Sequence, residues 1–203
     1  MIRTTQKQKR EIYNAIAKGD FLNNEKVWTY LIVDILTNSK NAMDYYRLFC
    51  EPQLNLPDKR LDIWFEALPI PPRKGRRGNS ERNAHLDLAF GNIKRRNSTK
   101  AGIEYALNNN TSWVCFVEAK CLSDCSADIS HDPLRNQIIR VIENLLCFQN
   151  RSQFPKNLYF TLLTPRLFKS HWNSKLYGYK ITRYQENKDA IIEDINLSAI
   201  PKA

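Results

Sequence analysis

The chain of 203 residues contains no long hydrophobic run. No stretch approaches the roughly 20 consecutive apolar residues that a transmembrane helix needs, so the sequence predicts no membrane partner. The first twenty residues, MIRTTQKQKREIYNAIAKGD, are basic but lack the apolar segment of a secretory leader. We therefore expect a cytoplasmic protein.

Cysteines are few, and their number, five, is odd. An odd number without an export leader argues against a disulfide framework. Cys121, Cys125 and His131 instead suggest an alternative, a zinc site, with Cys115 or Asp128 as the fourth ligand. No second pair of closely spaced cysteines supports that site, and the apolar run around Cys115 predicts that its side chain points into the core.

Acidic residues are in the minority. The chain has 31 Lys and Arg against 21 Asp and Glu, which gives a formal net charge of +10. Hydrophobic residues make up 42% and charged residues 26%, values that are typical of a globular domain with a core. The basic excess favours an anionic partner, and nucleic acid is the usual one for such a chain.

Part of this positive charge lies in two short runs that flank one candidate strand. A charged run is most often a solvated loop, but two runs that bracket a strand with an acidic residue suggest a grip on the DNA backbone. The residues expected to contact the substrate in this way are Arg73, Lys74, Arg76 and Arg77 in the first run and Lys94, Arg95 and Arg96 in the second.

The first third of the chain has helical periodicity. Apolar residues recur at helical spacing in EIYNAIAK and in NNEKVWTYLIVDILTN, and a third helix is predicted near 41–50. Asn23 or Asn24 can cap the second helix. Glu25 then falls in its first turn, where a carboxylate favours the helix dipole.

Strands dominate the middle of the chain. RLDIWFEALPI, HLDLAF, WVCFVEAK and NLYFTLLTP are predicted as strands, and 93–112 as a loop with a helical turn around Ile103–Leu107. A helix follows in HDPLRNQIIRVIENLLCFQN, with Asp132 as its cap and Pro133 at its first position. LYGYKITRY and AIIEDINL add a strand and a short helix. This order predicts an α/β fold with a mixed sheet flanked by helices.

Charged residues end the most apolar strand, WVCFVEAK. Strand alternation puts Glu118 and Lys120 on one face and Ala119 on the other. If the strand HLDLAF pairs with this one, Asp87 and Glu118 converge, and with the carbonyl of Ala119 they form an all-oxygen site suited to Mg²⁺ or Mn²⁺. Such an ion activates water and stabilises charge on a phosphate, with a lysine beside it. His85 falls on the same strand face as Asp87 and is a candidate substrate contact.

These residues resemble the motifs of the PD-(D/E)XK nuclease superfamily. Asp87 in HLDLAF matches the first motif and Glu118-Ala119-Lys120 in FVEAK the second. Gln137 and Arg140 on the following helix are similar to the Q-x-x-R pattern of some members. The order of elements is similar to the αβββαβ core of restriction-endonuclease-like folds over about residues 20–165. Leu86 stands where many members have proline, and no four-cysteine set of the iron–sulfur type is present.

The resemblance implies a metal-dependent nuclease with Asp87, Glu118 and Lys120 as catalytic residues. Asp87, Glu118 and the Ala119 carbonyl would hold Mg²⁺ or Mn²⁺, and Glu25 would be a further metal ligand from the first core helix. Gln137 and Arg140 would contact the substrate or steady the ligands.

We expect one nuclease-like domain over residues 1–203, in which the N-terminal helices and 166–203 elaborate the core. The expected activity is cleavage of DNA by an endonuclease of restriction, defence, recombination or repair type. Concerted cutting of both strands would favour a homodimer, because one such site cuts one strand.

Structural alternatives exist for each of these residues. An E-x-K sequence at a strand end is commonly a solvated ion pair, and an aspartate such as Asp87 is commonly a surface or turn residue. Polar residues three apart, such as Gln137 and Arg140, often form a solvent-facing stripe of a helix. At the level of the whole chain, the alternative function is a catalytically inactive nucleic-acid-binding module with the same fold.

Overall fold

The structure is a computed structural model that describes residues 1–20, 24–51, 61–73, 84–107, 112–126, 132–166 and 177–200. Within these ranges no helix combines the length and apolar character needed to cross a bilayer. The helices are α1 (Gln6–Ala17), α2 (Glu25–Asn38), α3 (Ala42–Phe49), α4 (Gln137–Leu146), α5 (Tyr177–Glu186) and α6 (Asp189–Asn196). The strands are β1 (Ile2–Arg3), β2 (Ile63–Ala67), β3 (Leu86–Gly91), β4 (Ile93–Arg95), β5 (Ile103–Tyr105), β6 (Trp113–Ala119) and β7 (Asn157–Leu163).

Five strands form one mixed sheet in the order β1-β2-β3-β6-β7. The pairs β1–β2 and β6–β7 are parallel, whereas β2–β3 and β3–β6 are antiparallel. A separate antiparallel hairpin joins β4 to β5. The prediction of an α/β fold with a mixed sheet flanked by helices is therefore confirmed.

Helices cover both faces of this sheet. On one face, α1, α2 and α3 pack against apolar residues of the central strands, for example Phe65, Phe90 and Cys115. On the other face, β5 and α4 pack against Trp64 and Phe116, and α5 and α6 lie on the outer side of α4. Strand β6 is buried along its whole length, because it is central and covered on both faces.

The regular pleat of the β2–β3 pair is interrupted at one level. Phe65 and Leu88 are paired and pack on the α2 side, whereas the next pair, Ala67 and Leu86, packs on the α4 side. Residues two apart in a regular strand share a face, so the backbone must change direction between these pairs. The change occurs at Glu66, whose φ of 52° is left-handed. Leu86 and Leu88, which regular alternation would put on one face, therefore pack on opposite sides of the sheet.

The start of α4 also differs from the sequence prediction. Asn136 caps the helix by accepting a hydrogen bond of 2.9 Å from the Ile139 amide, so the helix begins at Gln137. Asp132 is instead fully buried and accepts hydrogen bonds from the amides of Leu134 and Ala199 and from the Ser198 hydroxyl. The acidic residue holds the C-terminal segment and not the helix end.

Two further predictions of secondary structure are wrong. The segment predicted as the strand LYGYKITRY contains most of helix α5, because Ile181 and Tyr184 turn toward α4 at helical spacing. The predicted helical turn at Ile103–Leu107 is instead strand β5, which pairs with β4. The predicted cap of α2 is confirmed, because the Asn24 side chain accepts a hydrogen bond of 3.2 Å from the Val27 amide.

Candidate active site

Strands β3 and β6 separate at the end where the predicted carboxylates lie. Their last recorded pair is Leu88 with Val117, so the next residues along the two strands are Asp87 and Glu118. At this level the Asp87 carboxylate accepts a hydrogen bond of 2.7 Å from the Ala119 amide. The Asp87 side chain thus replaces a backbone carbonyl as the acceptor for the Ala119 amide. This hydrogen bond places Asp87 beside the Glu118–Lys120 segment, as the sequence predicts.

Glu118 is buried, with 1% of its surface exposed. Its Oε1 accepts a hydrogen bond from the Gln137 amide group and lies 3.0 Å from the Lys120 ammonium. Gln137 also accepts a hydrogen bond of 3.1 Å from the Ser126 amide, so it connects the loop after β6 to the carboxylate. Gln137, the first residue of α4, therefore orients the Glu118 carboxylate. Because Glu118 is buried, solvent water does not take this role.

Lys120 links helix α2 to strand β6. Its ammonium lies 3.0 Å from Oε1 of Glu25, the first residue of α2. The other oxygen of Glu25 accepts hydrogen bonds from the Cys121 amide at 3.1 Å and the Ser123 hydroxyl at 3.0 Å. Glu25 therefore lies in the candidate site as predicted, where it pairs with the lysine and fixes the loop that follows β6.

The carboxyl groups of the site hold their protons more tightly than usual. Burial, followed by the charge of Asp87, raises the pKa of Glu118 to about 8, although Lys120 opposes the shift. Burial likewise raises the pKa of Asp87 to about 6, against the hydrogen bond from Ala119 and the charge of Lys120. Shifts of this kind are frequent at catalytic sites.

Lys120 itself remains charged. Burial alone would lower the pKa of its ammonium, but the charge of Glu118 and the hydrogen bond to Glu25 outweigh it, so the pKa is raised. At neutral pH Lys120 is a hydrogen-bond donor and a fixed positive charge. Without a bound cation it lacks the lowered pKa of a general base.

Glu66 lies near Asp87 in the candidate site, although it is not among the residues predicted from the sequence. Its charge contributes to the raised pKa of Asp87, and it forms an ion pair of 2.8 Å with Lys26. Its left-handed φ of 52° is strained for a residue with a side chain, and such strain tends to occur at functional sites. The available signal is FEALP, which also places an acidic residue at the end of an apolar strand.

The donor atoms of the site fit a small divalent ion. Among the described residues, no group of three or more His, Cys, Asp and Glu side chains is arranged to hold a metal. Asp87 and Glu118, however, each use only one carboxylate oxygen, and their other oxygens accept no hydrogen bond from the described part of the chain. Mg²⁺ typically takes one or two carboxylates and completes its shell with other oxygens, such as the Ala119 carbonyl and water.

The other residues predicted to contact substrate are dispersed. Arg140 lies on α4, one turn after Gln137, and His85 is exposed just before β3, where it makes no hydrogen bond to the described residues. In the second basic run Lys94 pairs with Glu104 at 3.2 Å, whereas Arg95 is exposed. The remaining residues of the first run, Lys74, Arg76 and Arg77, lie outside the described residues.

The expected substrate contact of Arg73 is wrong. The residue is 3% exposed, and its guanidinium makes hydrogen bonds of 2.8 and 2.9 Å to the two oxygens of Glu143 on α4. It also donates to the carbonyls of Ile195 and Ile200 in the C-terminal segment. All these partners are inside the protein, so no donor of Arg73 is presented to a phosphate.

The zinc alternative gains no support from the placed cysteines. Cys115 packs on the α2 side of the sheet, whereas Cys125 packs among the residues of α4, α5 and α6, so Cys115 cannot complete a site with Cys125. Burial raises the pKa of the Cys125 thiol, which disfavours the thiolate that zinc requires. His131 and Asp128 lie outside the described residues.

Known proteins provide no identity for this site. The chain matches no protein-family model, and no curated protein or solved structure is significantly similar to it. The functional interpretation therefore depends on the side chains gathered where β3 and β6 separate.

Proposed function

We propose that the protein is a metal-dependent nuclease that hydrolyses phosphodiester bonds in DNA, as an endonuclease of restriction, defence, recombination or repair type. The observation that carries the proposal is the meeting of Asp87 and Glu118 beside Lys120 at one end of β6. The element order α2, β2, β3, β6, α4, β7 is consistent with a restriction-endonuclease-like core of PD-(D/E)XK type.

Each residue of the site has a proposed role. Asp87, Glu118 and the Ala119 carbonyl hold Mg²⁺ or Mn²⁺, which supplies the positive charge that stabilises negative charge developing on the phosphate. Glu118 must lose its proton to serve as a ligand, because its pKa of about 8 lies above neutral pH in the metal-free protein.

Lys120 acts in this scheme as a charged donor. Its raised pKa keeps the ammonium protonated, so it is suited to hold the substrate phosphate or the attacking water by hydrogen bonds. Glu25 and Gln137 are positioning residues: Glu25 fixes the lysine from α2, and Gln137 fixes Glu118 from α4. A further role for Glu25 as a metal ligand would require its contact with Lys120 to rearrange.

The overall charge supports a polyanionic substrate. A net charge of +10 favours association with nucleic acid, and the acidic side chains of the site need a counter-field to admit a phosphate backbone. A catalytically inactive binding module would share this charge. It gives no reason, however, to bury Glu118 and Lys120 at one strand end beside Asp87, since burying charge is costly.

The test is a cleavage assay with and without Mg²⁺ on single-stranded, duplex and branched DNA and on RNA. The wild-type chain is compared with Lys120→Ala and with Lys156→Ala, a matched loss of one exposed lysine. We expect Mg²⁺-dependent cleavage of DNA by the wild type and Lys156→Ala, and a loss of about 10²–10³-fold in Lys120→Ala.

Two outcomes contradict the proposal. If the wild type binds DNA but no substrate is cleaved with Mg²⁺ or Mn²⁺, the protein is a binding module. If Lys120→Ala cleaves at the rate of Lys156→Ala, the site assignment is wrong even though the chain is a nuclease.

A further inference from the structure

A small basic cleft lies between the start of α1, the strand β2 and the turn that joins β4 to β5. It is a shallow groove whose empty space, about 210 Å³, includes open solvent. Its lining comes from three separate parts of the chain and includes Arg3, Thr5, Trp64, Arg95 and Lys100.

The turn between β4 and β5 is fixed to the main sheet. The Leu68 amide donates a hydrogen bond of 2.9 Å to the Ala101 carbonyl, and the Ile103 amide donates one of 3.0 Å to the Leu68 carbonyl. Leu68 directly follows β2, so these bonds hold the hairpin against the same strand that carries Trp64. The basic residues of the turn are therefore presented at a defined place and not on a free loop.

The cleft concentrates positive charge. Arg95 and Lys100 are both exposed and have no carboxylate partner within the described residues, while Arg3 pairs with Asp62 at 2.9 Å. None of the described residues that line the cleft is acidic. Thr5 is the N-cap of α1, so the positive end of that helix dipole adds to the field.

Trp64 lines the cleft and has a polar group without a partner among the described residues. The residue is 8% exposed, and its indole N–H has no hydrogen-bond partner within the described chain. A buried donor without an acceptor is unusual and calls for a partner that the protein does not itself provide. An anion in the cleft would be such an acceptor.

The cleft lies close to the candidate active site. Ala67, another of its lining residues, is paired with Leu86, the neighbour of Asp87. Strand β2 is separated from β6 only by β3, and two strand spacings amount to ~10 Å. Along one strand of a DNA duplex, successive phosphates are ~3.4 Å apart when measured along the helix axis. A distance of ~10 Å therefore corresponds to about three phosphates.

We infer that this cleft binds a backbone phosphate of the nucleic acid, a few nucleotides from the bond that the proposed nuclease would cut. The inference rests on the nucleic-acid partner of the proposed function, but it concerns binding and not cleavage. Arg95 and Lys100 provide the charge, and Trp64 provides a neutral donor.

The test measures binding of a fluorescein-labelled 20-base-pair duplex by anisotropy in EDTA, over a series of salt concentrations. The double variant Arg95→Ala/Lys100→Ala should bind about tenfold more weakly. Its slope of log K against log salt should be shallower by about 1, the value for one lost phosphate contact. The matched control is Lys18→Ala/Lys40→Ala, which removes two exposed charges elsewhere and should change affinity less than about threefold.

A neutral variant separates the donor from the charge. Trp64→Phe keeps an aromatic ring in the wall but removes the indole N–H. We expect about a fivefold loss of affinity, the effect of one hydrogen bond, with the salt slope unchanged.

The outcomes distinguish this inference from the proposed function. Equal affinity and equal slope in the two double variants would overturn the cleft as a phosphate site, and so would a wild type that binds no DNA. If binding depends on the cleft but the wild type cleaves nothing with Mg²⁺, the phosphate site stands and the proposed function fails.

Discussion

Two groups of charged residues contact α4, one through Gln137 and the other through Glu143, and they differ in how their charges are balanced. The first, here called the acidic site, consists of Glu25, Asp87, Glu118 and Lys120. The second, here called the arginine cluster, consists of Arg73, Arg135 and Glu143.

The carboxylate of the arginine cluster is satisfied internally. Glu143 receives two hydrogen bonds from Arg73 and lies 2.7 Å from the Arg135 guanidinium. Arg73 uses its remaining donors on backbone carbonyls, so it ties the segment after β2 to the C-terminal end of the chain. The arrangement has excess positive charge but no acceptor left open to a ligand.

The acidic site has the opposite character. Three carboxylates face one ammonium, and the pKa values of Asp87 and Glu118 are raised. Each of these two groups also keeps an oxygen that accepts no hydrogen bond from the described residues. A buried charge is therefore not by itself an indication of function. The imbalance of charge, together with unused carboxylate oxygens, is what supports the proposed metal site.

The largest expected effect breaks the arginine cluster. Arg73→Met removes both hydrogen bonds to Glu143 and leaves that buried carboxylate with Arg135 alone. We expect the free energy of unfolding to fall by about 3 kcal/mol or more, measured by denaturant titration. Arg95→Met, the same substitution at an exposed arginine, should change it by less than about 0.5 kcal/mol. Equal stability of the two variants would show that the buried contacts of Arg73 are not structural.

The second prediction concerns the acidic site. Glu118→Gln keeps the shape of the side chain but removes the charge that would bind the metal. We expect Mg²⁺-dependent cleavage to fall by about 10²–10³-fold, because the ion would lose one of two carboxylate ligands. The free energy of unfolding at pH 8 should not fall, since the variant no longer buries a carboxylate. A stable variant with wild-type cleavage would remove Glu118 from the mechanism.

Much of the acidic site could be predicted from the sequence because its residues lie on the most regular elements. WVCFVEAK is an unbroken apolar strand with charges only at its end, so the positions of Glu118 and Lys120 follow from alternation. Gln137 lies on a helix that is amphipathic along its length. The pairing of β3 with β6, which brings in Asp87, is also confirmed, although the sequence offered it only as a condition.

The arginine cluster could not be predicted in the same way. Arg73 stands in PPRKGRR, where its neighbours are polar and its partners lie 70 residues or more further along the chain. Local composition indicates a solvated basic loop there, and only tertiary packing shows that one arginine of the run turns inward. The same limit applies to Glu66, whose strained backbone has no counterpart in a residue pattern.

The third prediction uses the pH dependence of stability without metal. Glu118 has a pKa of about 8 in the folded protein and a usual value of 4.5, so the folded state binds the extra proton between these values. The free energy of unfolding should therefore fall as pH rises from 6 to 8, by at most ~1.4 kcal/mol per unit from this group. In Glu118→Gln this part of the slope should vanish. An identical pH slope in the wild type and the variant would contradict the raised pKa.

The smallest effect is expected from a positioning residue. Gln137→Ala removes the hydrogen bond to Glu118 and the link to the Ser126 amide. We expect kcat to fall about tenfold with KM nearly unchanged, because the residue orients a ligand and does not itself hold the substrate. A rise in KM alone would instead indicate that Gln137 contacts the substrate directly.

The sequence predicts a start for α4 that is several residues too early. DPLRN satisfies the sequence rules for a helix start, with an acidic cap and an early proline, but Asp132 is used by the C-terminal segment. Leu134 lies in the first turn of the predicted helix, but it is 58% exposed because it precedes the observed helix. The competing tertiary hydrogen bonds could not be anticipated from the local pattern.

The most direct test of the contrast between the acidic site and the arginine cluster is a titration of the substrate-free protein with Mn²⁺ at pH 8.5, in which binding is measured by calorimetry. The wild type and Glu104→Gln, a carboxylate variant on the β4–β5 hairpin, are predicted to bind the ion with the same affinity. Asp87→Asn and Glu118→Gln are predicted to lose at least about tenfold in affinity. Equal Mn²⁺ affinity in all four proteins, or no binding by the wild type, would contradict the assignment of the acidic site as a metal centre.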